Sequence, residues 1–119
     1  MSTPTLGVFV RDFLVDHLLE HKGLRQGSVR SYRDTLRLFL PFVATDAHRP
    51  IGRLQLEDLT LERVLAFLRH LEQVRHNRVP TRNQRLAALR TMFEYLGRRV
   101  PDLLHVCQQI AAIPVKRTP

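Results

Sequence analysis

The chain has no tryptophan, one cysteine, five glycines and only two lysines among its 119 residues. Each shortage excludes something. A single thiol, Cys107, rules out an internal disulfide framework and favours a reducing compartment. So few glycines beside a hydrophobic content of 44% exclude fibrous repeats and low-complexity disorder. No apolar run approaches the roughly 18 residues that a transmembrane helix requires. The opening MSTPTLGVFVRDF lacks the basic start and long apolar core of a secretory signal. The expectation is a soluble, cytoplasmic protein with no membrane partner. Strand-like alternation is also missing, so the expected fold class is all-α, and the length suits one compact domain.

What the sequence has is arginine. With Lys22 and Lys116 the only lysines, 17 of the 19 basic residues are Arg, against 11 acids and a net charge of +8. The guanidinium is a rigid, permanently charged fork that matches phosphate oxygens and guanine edges. A GC-rich genome also raises Arg over Lys, so the total charge is the stronger signal, and it predicts attraction to polyanions.

Apolar spacing predicts five helices. The first runs from about Thr5 to Lys22 and is closed by Gly23. Ser28 is placed to cap a second, through about Val43, with Pro41 expected to kink it or end it early. Residues 44–59 read as a loop with one short turn. Thr60 caps a third helix, LERVLAFLRHLEQV. Thr81 and Gln84 form a capping box, T-x-x-Q, opening a fourth helix that Gly97 ends. Pro101 suits the first position of a fifth, through about Ala112. The tail, IPVKRTP, with Pro114 and Pro119 around a basic segment, reads as a linker.

At 100° per residue, Leu86, Leu89, Phe93 and Leu96 make the inward stripe of the fourth helix. Gln84, Ala87, Ala88, Thr91 and Arg98 lie opposite, Thr81 stands at the N-terminal end, and Arg85 and Arg90 flank the stripe. In the second helix Arg30, Ser31, Asp34 and Arg37 oppose the core stripe, with Arg33 on its flank. Hydroxyl, amide and guanidinium groups with a net positive sign are the groups that contact phosphates and read major-groove edges. A solvated surface is the alternative reading of such faces. The first helix differs, because Asp12, Asp16 and Glu20 place acid there.

Three stretches together resemble the N-terminal core-binding (SAM-like) domain of the tyrosine recombinase, or phage integrase, family. They are SVRSYRDTLRLFLPF, LEDLTLERVLAFLRHL and TRNQRLAALRTMFEYL, and IAAIPVKRTP is similar to the family's linker. The resemblance implies a compact bundle of four helices plus a fifth, arranged as two crossed helical hairpins that turn their cationic sides the same way. It implies a DNA-binding domain over residues 1–112 and a linker over 113–119 toward a catalytic domain. The implied partners are double-stranded DNA, the C-terminal catalytic domain of the parent recombinase and neighbouring subunits in a synaptic assembly. Carried onto this sequence, the groove-facing candidates are Ser28, Arg30, Ser31, Thr81, Arg82, Gln84, Arg85 and Ala88, to which the charge pattern adds Arg33 and Arg37. Tyr32 and Tyr95 match structural aromatic positions.

The family's chemistry needs a catalytic Arg, a Lys, an H-x-x-R and a late nucleophilic Tyr. No His here begins H-x-x-R and no Tyr follows Tyr95, so the chain as given is expected to cut nothing. No cofactor is expected. His17 and His21 have a chelating i,i+4 spacing but no evident third ligand, so no metal is expected either. Cys107 reads as an inert core thiol, and VRHNRV as either a phosphate-contacting loop or a wet turn. The alternative function is a helical protein-interaction module whose basic face meets an acidic partner. A helix-turn-helix regulator fits less well, because RRVPD is not followed by a short recognition helix of the expected polarity.

Overall fold

A computed structural model of the protein describes residues 5–117, without the side chains of residues 20 and 21. The expectations placed on Glu20, on the His21 half of the histidine pair and on Pro119 lie outside the described residues. The described chain is all-helical, with five α-helices, and divides into two compact units, Met1–Asp58 and Leu59–Pro119.

In the first unit, α1 (Leu6–Asp12) starts at Thr5, whose side chain accepts the Val8 N–H. From Phe13 to His21 the helix widens to π geometry, a departure from the single α-helix expected. Gly23, at φ +64°, closes it, and the Leu24 N–H returns to the Leu18 carbonyl at 3.0 Å. Only glycine takes that backbone conformation without steric cost. Phe13 is fully buried and meets the edge of Tyr32, ring centroids 6.0 Å apart, while His17 stacks on Phe13 at 5.9 Å. His17 is thus part of an aromatic cluster.

Helix α2 (Gln26–Ala47) is longer at both ends than its sequence suggests. Arg25 takes the cap position and Ser28 falls inside the first turn, so Ser28 is not the cap. Pro41 neither ends the helix nor shortens it. An interior proline costs about 3 kcal/mol. On either side of it Phe39 and Val43 are fully buried and Leu36 and Ala44 nearly so, and each large apolar side chain buried contributes about 1.5–3 kcal/mol. Burial therefore carries the helix through the proline to His48, which ends it in the left-handed region at φ 55°. Two short 3-10 turns follow, Ile51–Arg53 and Leu56–Asp58. The second is tied by Asp58, which accepts the Gln55 N–H at 2.8 Å and faces Arg49 at 3.7 Å.

In the second unit, α3 (Leu61–Gln73) begins as expected at Thr60, whose hydroxyl accepts the Arg63 N–H at 3.2 Å. Val64, Phe67, Leu68 and Leu71 form its buried stripe. Helix α4 (Val79–Arg99) starts two residues before the expected capping box, with Arg78 at the cap and Pro80 in the first turn. Proline there presets φ for helix and loses no hydrogen bond, so the Thr81–Gln84 box is not used. Gly97 does not end α4. A Cβ at Gly97 would lie 2.9 Å from the Cβ of Cys107, so the glycine lets α5 (Leu104–Ala111) approach. A 3-10 turn, Pro101–Leu103, precedes α5. Leu103 and Ile110 are buried, whereas Val106 and Cys107 are half-buried. Burial and the nearby Glu94 carboxylate push the Cys107 thiol above its ordinary pKa, against a smaller opposing effect of Arg98. That keeps the thiol protonated and poorly nucleophilic.

Candidate nucleic-acid interface

The cationic face of α2 is present as a physical surface. Ser28, Arg30, Arg33 and Arg37 are exposed and Ser31 is half-buried. Asp34 lies four residues from Arg30 and three from Arg37, a spacing that permits helical ion pairs. Among the described residues, however, the side chains of Arg30, Arg33, Asp34 and Arg37 make no ion pair or hydrogen bond. Three guanidiniums on one helix are therefore not neutralised by carboxylates there. Arg33 and Arg37 also border an apolar groove with Val10, Leu14, Leu36 and Leu40. Their aliphatic stems cover apolar surface while the charged heads stay in water. The Ser31 carbonyl is occupied by buried Thr35, whose hydroxyl donates to it at 3.1 Å.

Helix α4 is less uniform. Gln84 and Ala87 are exposed, and Thr81, Arg85 and Thr91 are half-buried. The Thr91 hydroxyl is turned inward to its own helix, donating to the Ala87 carbonyl at 3.1 Å. Arg98 is exposed but paired with Glu94 at 2.8 Å, and Arg99 lies over the Tyr95 ring at 3.7 Å.

Two groove-facing candidates are corrected. Ala88 is 8% exposed, and so belongs to the buried side of α4. The Arg82 side chain is 7% exposed. Its Nη1 donates to the Pro114 carbonyl at 3.2 Å and to Asn83 Oδ1 at 3.0 Å, and its Nε faces Glu72 at 3.6 Å. A guanidinium surrounded in this way is enclosed by the fold and not offered to solvent. Arg82→Ala is expected to lower unfolding stability by about 1–3 kcal/mol through the acceptors it strands, with polyanion affinity per folded molecule unchanged. Chemical denaturation paired with a binding titration checks both halves.

Sequence reasoning passed over Arg25 and placed Arg78 only within the VRHNRV turn. Arg25 and Arg78 occupy the N-cap positions of α2 and α4, and neither makes a side-chain cap hydrogen bond. α1 and α3 are capped by Thr5 and Thr60. The starts of α2 and α4 thus keep first-turn N–H groups without a side-chain acceptor and place an exposed arginine beside them. A helix N-terminus favours anions through these N–H groups and the helix dipole. For α4 the available signal was Pro80, which belongs in a first turn. Arg75 and His76, in the turn before α4, are also exposed. Among the described residues no group of three or more metal-ligating side chains converges, and no helix is long and apolar enough to cross a membrane.

These features define an all-helical domain with an arginine-rich face on its longest helix. The family described as phage integrase, N-terminal SAM-like domain matches residues 11–100, and the chain belongs to that family. It is 35% identical over 112 residues to "Putative integrase/recombinase y4rD" of Sinorhizobium fredii (strain NBRC 101917 / NGR234), covering 94% of this chain and 40% of that protein. It is 31% identical over 113 residues to "Putative integrase/recombinase y4rC" of the same organism, covering 95% of this chain and 34% of that protein. The chain therefore spans well under half the length of these relatives. No solved structure matches it.

Proposed function

We propose that this domain binds duplex DNA as the core-binding part of a tyrosine recombinase, and that strand cleavage belongs to a separate catalytic domain. The observation that carries the reading is the α2 face, where Arg30, Arg33 and Arg37 are exposed and meet no carboxylate among the described residues. In this reading these guanidiniums, with Arg25 and Arg78 beside helix starts, hold phosphates. Ser28, Ser31, Thr81, Gln84 and Arg85 are the candidates for closer contact with the groove. Arg82 and Ala88 are left out of that set. The proposed partners are double-stranded DNA, the recombinase's catalytic domain and neighbouring subunits on a shared site.

The test is titration of a fluorescently labelled duplex at several salt concentrations. The proposal expects binding at low salt that falls linearly on a log–log plot with a slope of about −0.9 per phosphate neutralised. Absence of binding at low salt overturns it. Equal competition by heparin and by duplex would instead favour the reading as an acidic-partner module.

A further inference from the structure

The tail after α5 reads as a linker in the sequence, yet Ile113, Pro114 and Lys116 are held. Ile113 is buried. The Pro114 carbonyl accepts from Arg82 Nη1 at 3.2 Å. Two residues on, the Asn83 amide pairs with both backbone groups of Lys116. Its Nδ2 donates to the Lys116 carbonyl at 2.8 Å, and its Oδ1 accepts the Lys116 N–H at 3.0 Å. Lys116 Nζ reaches the two Glu72 oxygens at 2.8 and 3.1 Å. The same Glu72 carboxylate faces Arg82, and Arg82 in turn donates to Asn83 Oδ1 at 3.0 Å.

Each of these groups has a distinct physical task. An amide that both donates to and accepts from one residue recognises main chain, as the neighbouring strand of a sheet would. Arg82 orients that amide by donating to its oxygen, which leaves the NH2 aimed at the Lys116 carbonyl. Glu72 stands between two cations and balances both. Proline at 114 offers a carbonyl with no N–H to satisfy, so a single donor completes its needs.

We propose that Glu72, Arg82 and Asn83 form a latch that holds Ile113–Lys116 as a strap on the second unit, with Asn83 as its positioning residue. Polypeptide that continues past Arg117 then leaves this unit in a set direction and not from a free tether. The strap does not depend on the DNA reading, because none of the latch residues is among the proposed DNA contacts.

Residue-resolved hydrogen exchange on the full chain tests it. Among the described residues the Lys116 amide has a partner, whereas the amides of Val115 and Arg117 make no hydrogen bond. The Lys116 amide should therefore exchange about two- to tenfold more slowly than either neighbour after correction for intrinsic rates, the range one net hydrogen bond supports. Asn83→Ala should erase that difference and speed tryptic cleavage after Arg117 by a similar factor. Asn83→Asp keeps an acceptor for the Lys116 N–H but turns the donor facing the Lys116 carbonyl into a second acceptor, so it should lower the Lys116 protection. Uniform exchange across residues 115–117 in the wild-type chain overturns the proposal, and so does protection that survives Asn83→Ala. Should Asn83→Ala fail to fold, the wild-type alternation and Asn83→Asp still decide it.

Discussion

Replacing Arg30, Arg33 and Arg37 together by alanine is expected to weaken duplex binding about a hundredfold at low salt. The cause is the loss of charge-assisted hydrogen bonds to phosphate, each contributing about 1 kcal/mol or more. The salt slope should flatten at the same time by about 2.7, which is three phosphates at about 0.9 each. Because the three side chains are exposed and make no ion pair among the described residues, their removal strands no buried partner. Thermal unfolding should therefore barely move. Fluorescence anisotropy across a salt series, with circular-dichroism melts of the same preparations, measures both. An unchanged slope would mean that α2 does not face the phosphates. A large drop in the melting temperature would mean that the arginines serve the fold.

Leu89→Ala is expected to act in the opposite way. Leu89 is fully buried on α4, amid a stripe that includes Leu86, Phe93 and Leu96. Truncation removes buried methyl groups and leaves a cavity that closely packed neighbours cannot wholly fill, at a cost of about 2–5 kcal/mol. For a chain of this length that is a large part of typical total stability. Denaturant titration should show a lower midpoint with an unchanged slope. Under conditions where the variant is still folded, duplex affinity per folded molecule should match the wild type. A small loss of stability would mean that the stripe on α4 is less tightly packed than its burial indicates.

The helical stripes were legible because burial imposes a period. Val64, Phe67, Leu68 and Leu71 on α3, and Leu86, Leu89, Phe93 and Leu96 on α4, are buried at the spacing their sequence predicts. The Thr60 cap was legible for a local reason, since its hydroxyl needs only the N–H three residues on. The starts of α2 and α4 were not legible. Each sequence offers a good capping hydroxyl, Ser28 or Thr81, inside the first turn of the observed helix. The turn this adds to α2, Gln26–Ser28, is exposed, so burial does not account for it, whereas the earlier start of α4 puts Pro80 in a first turn where its missing N–H costs nothing. Pro41 does not end its helix because Leu36, Phe39, Val43 and Ala44 around it are buried, which outweighs the proline's cost.

Arginine is where the two levels of description separate most clearly. Its count, its excess over acid and its helical register are properties of the chain alone, and they suffice to predict an attraction to polyanions. Which arginines are free to act on that attraction is a tertiary matter. Arg30, Arg33 and Arg37 stay exposed, while Arg82, close to them in kind, is enclosed by Glu72, Asn83 and Pro114. The partners that enclose it lie 10, 1 and 32 residues away in the sequence. Periodicity cannot register such contacts, because it records only which side of a helix a residue occupies and not what the rest of the chain brings to that side. The sequence by itself thus determined the all-helical class, the family and the sign of the surface. Only the folded chain decided which guanidiniums face water and which brace the second unit, because that choice depends on long-range enclosure.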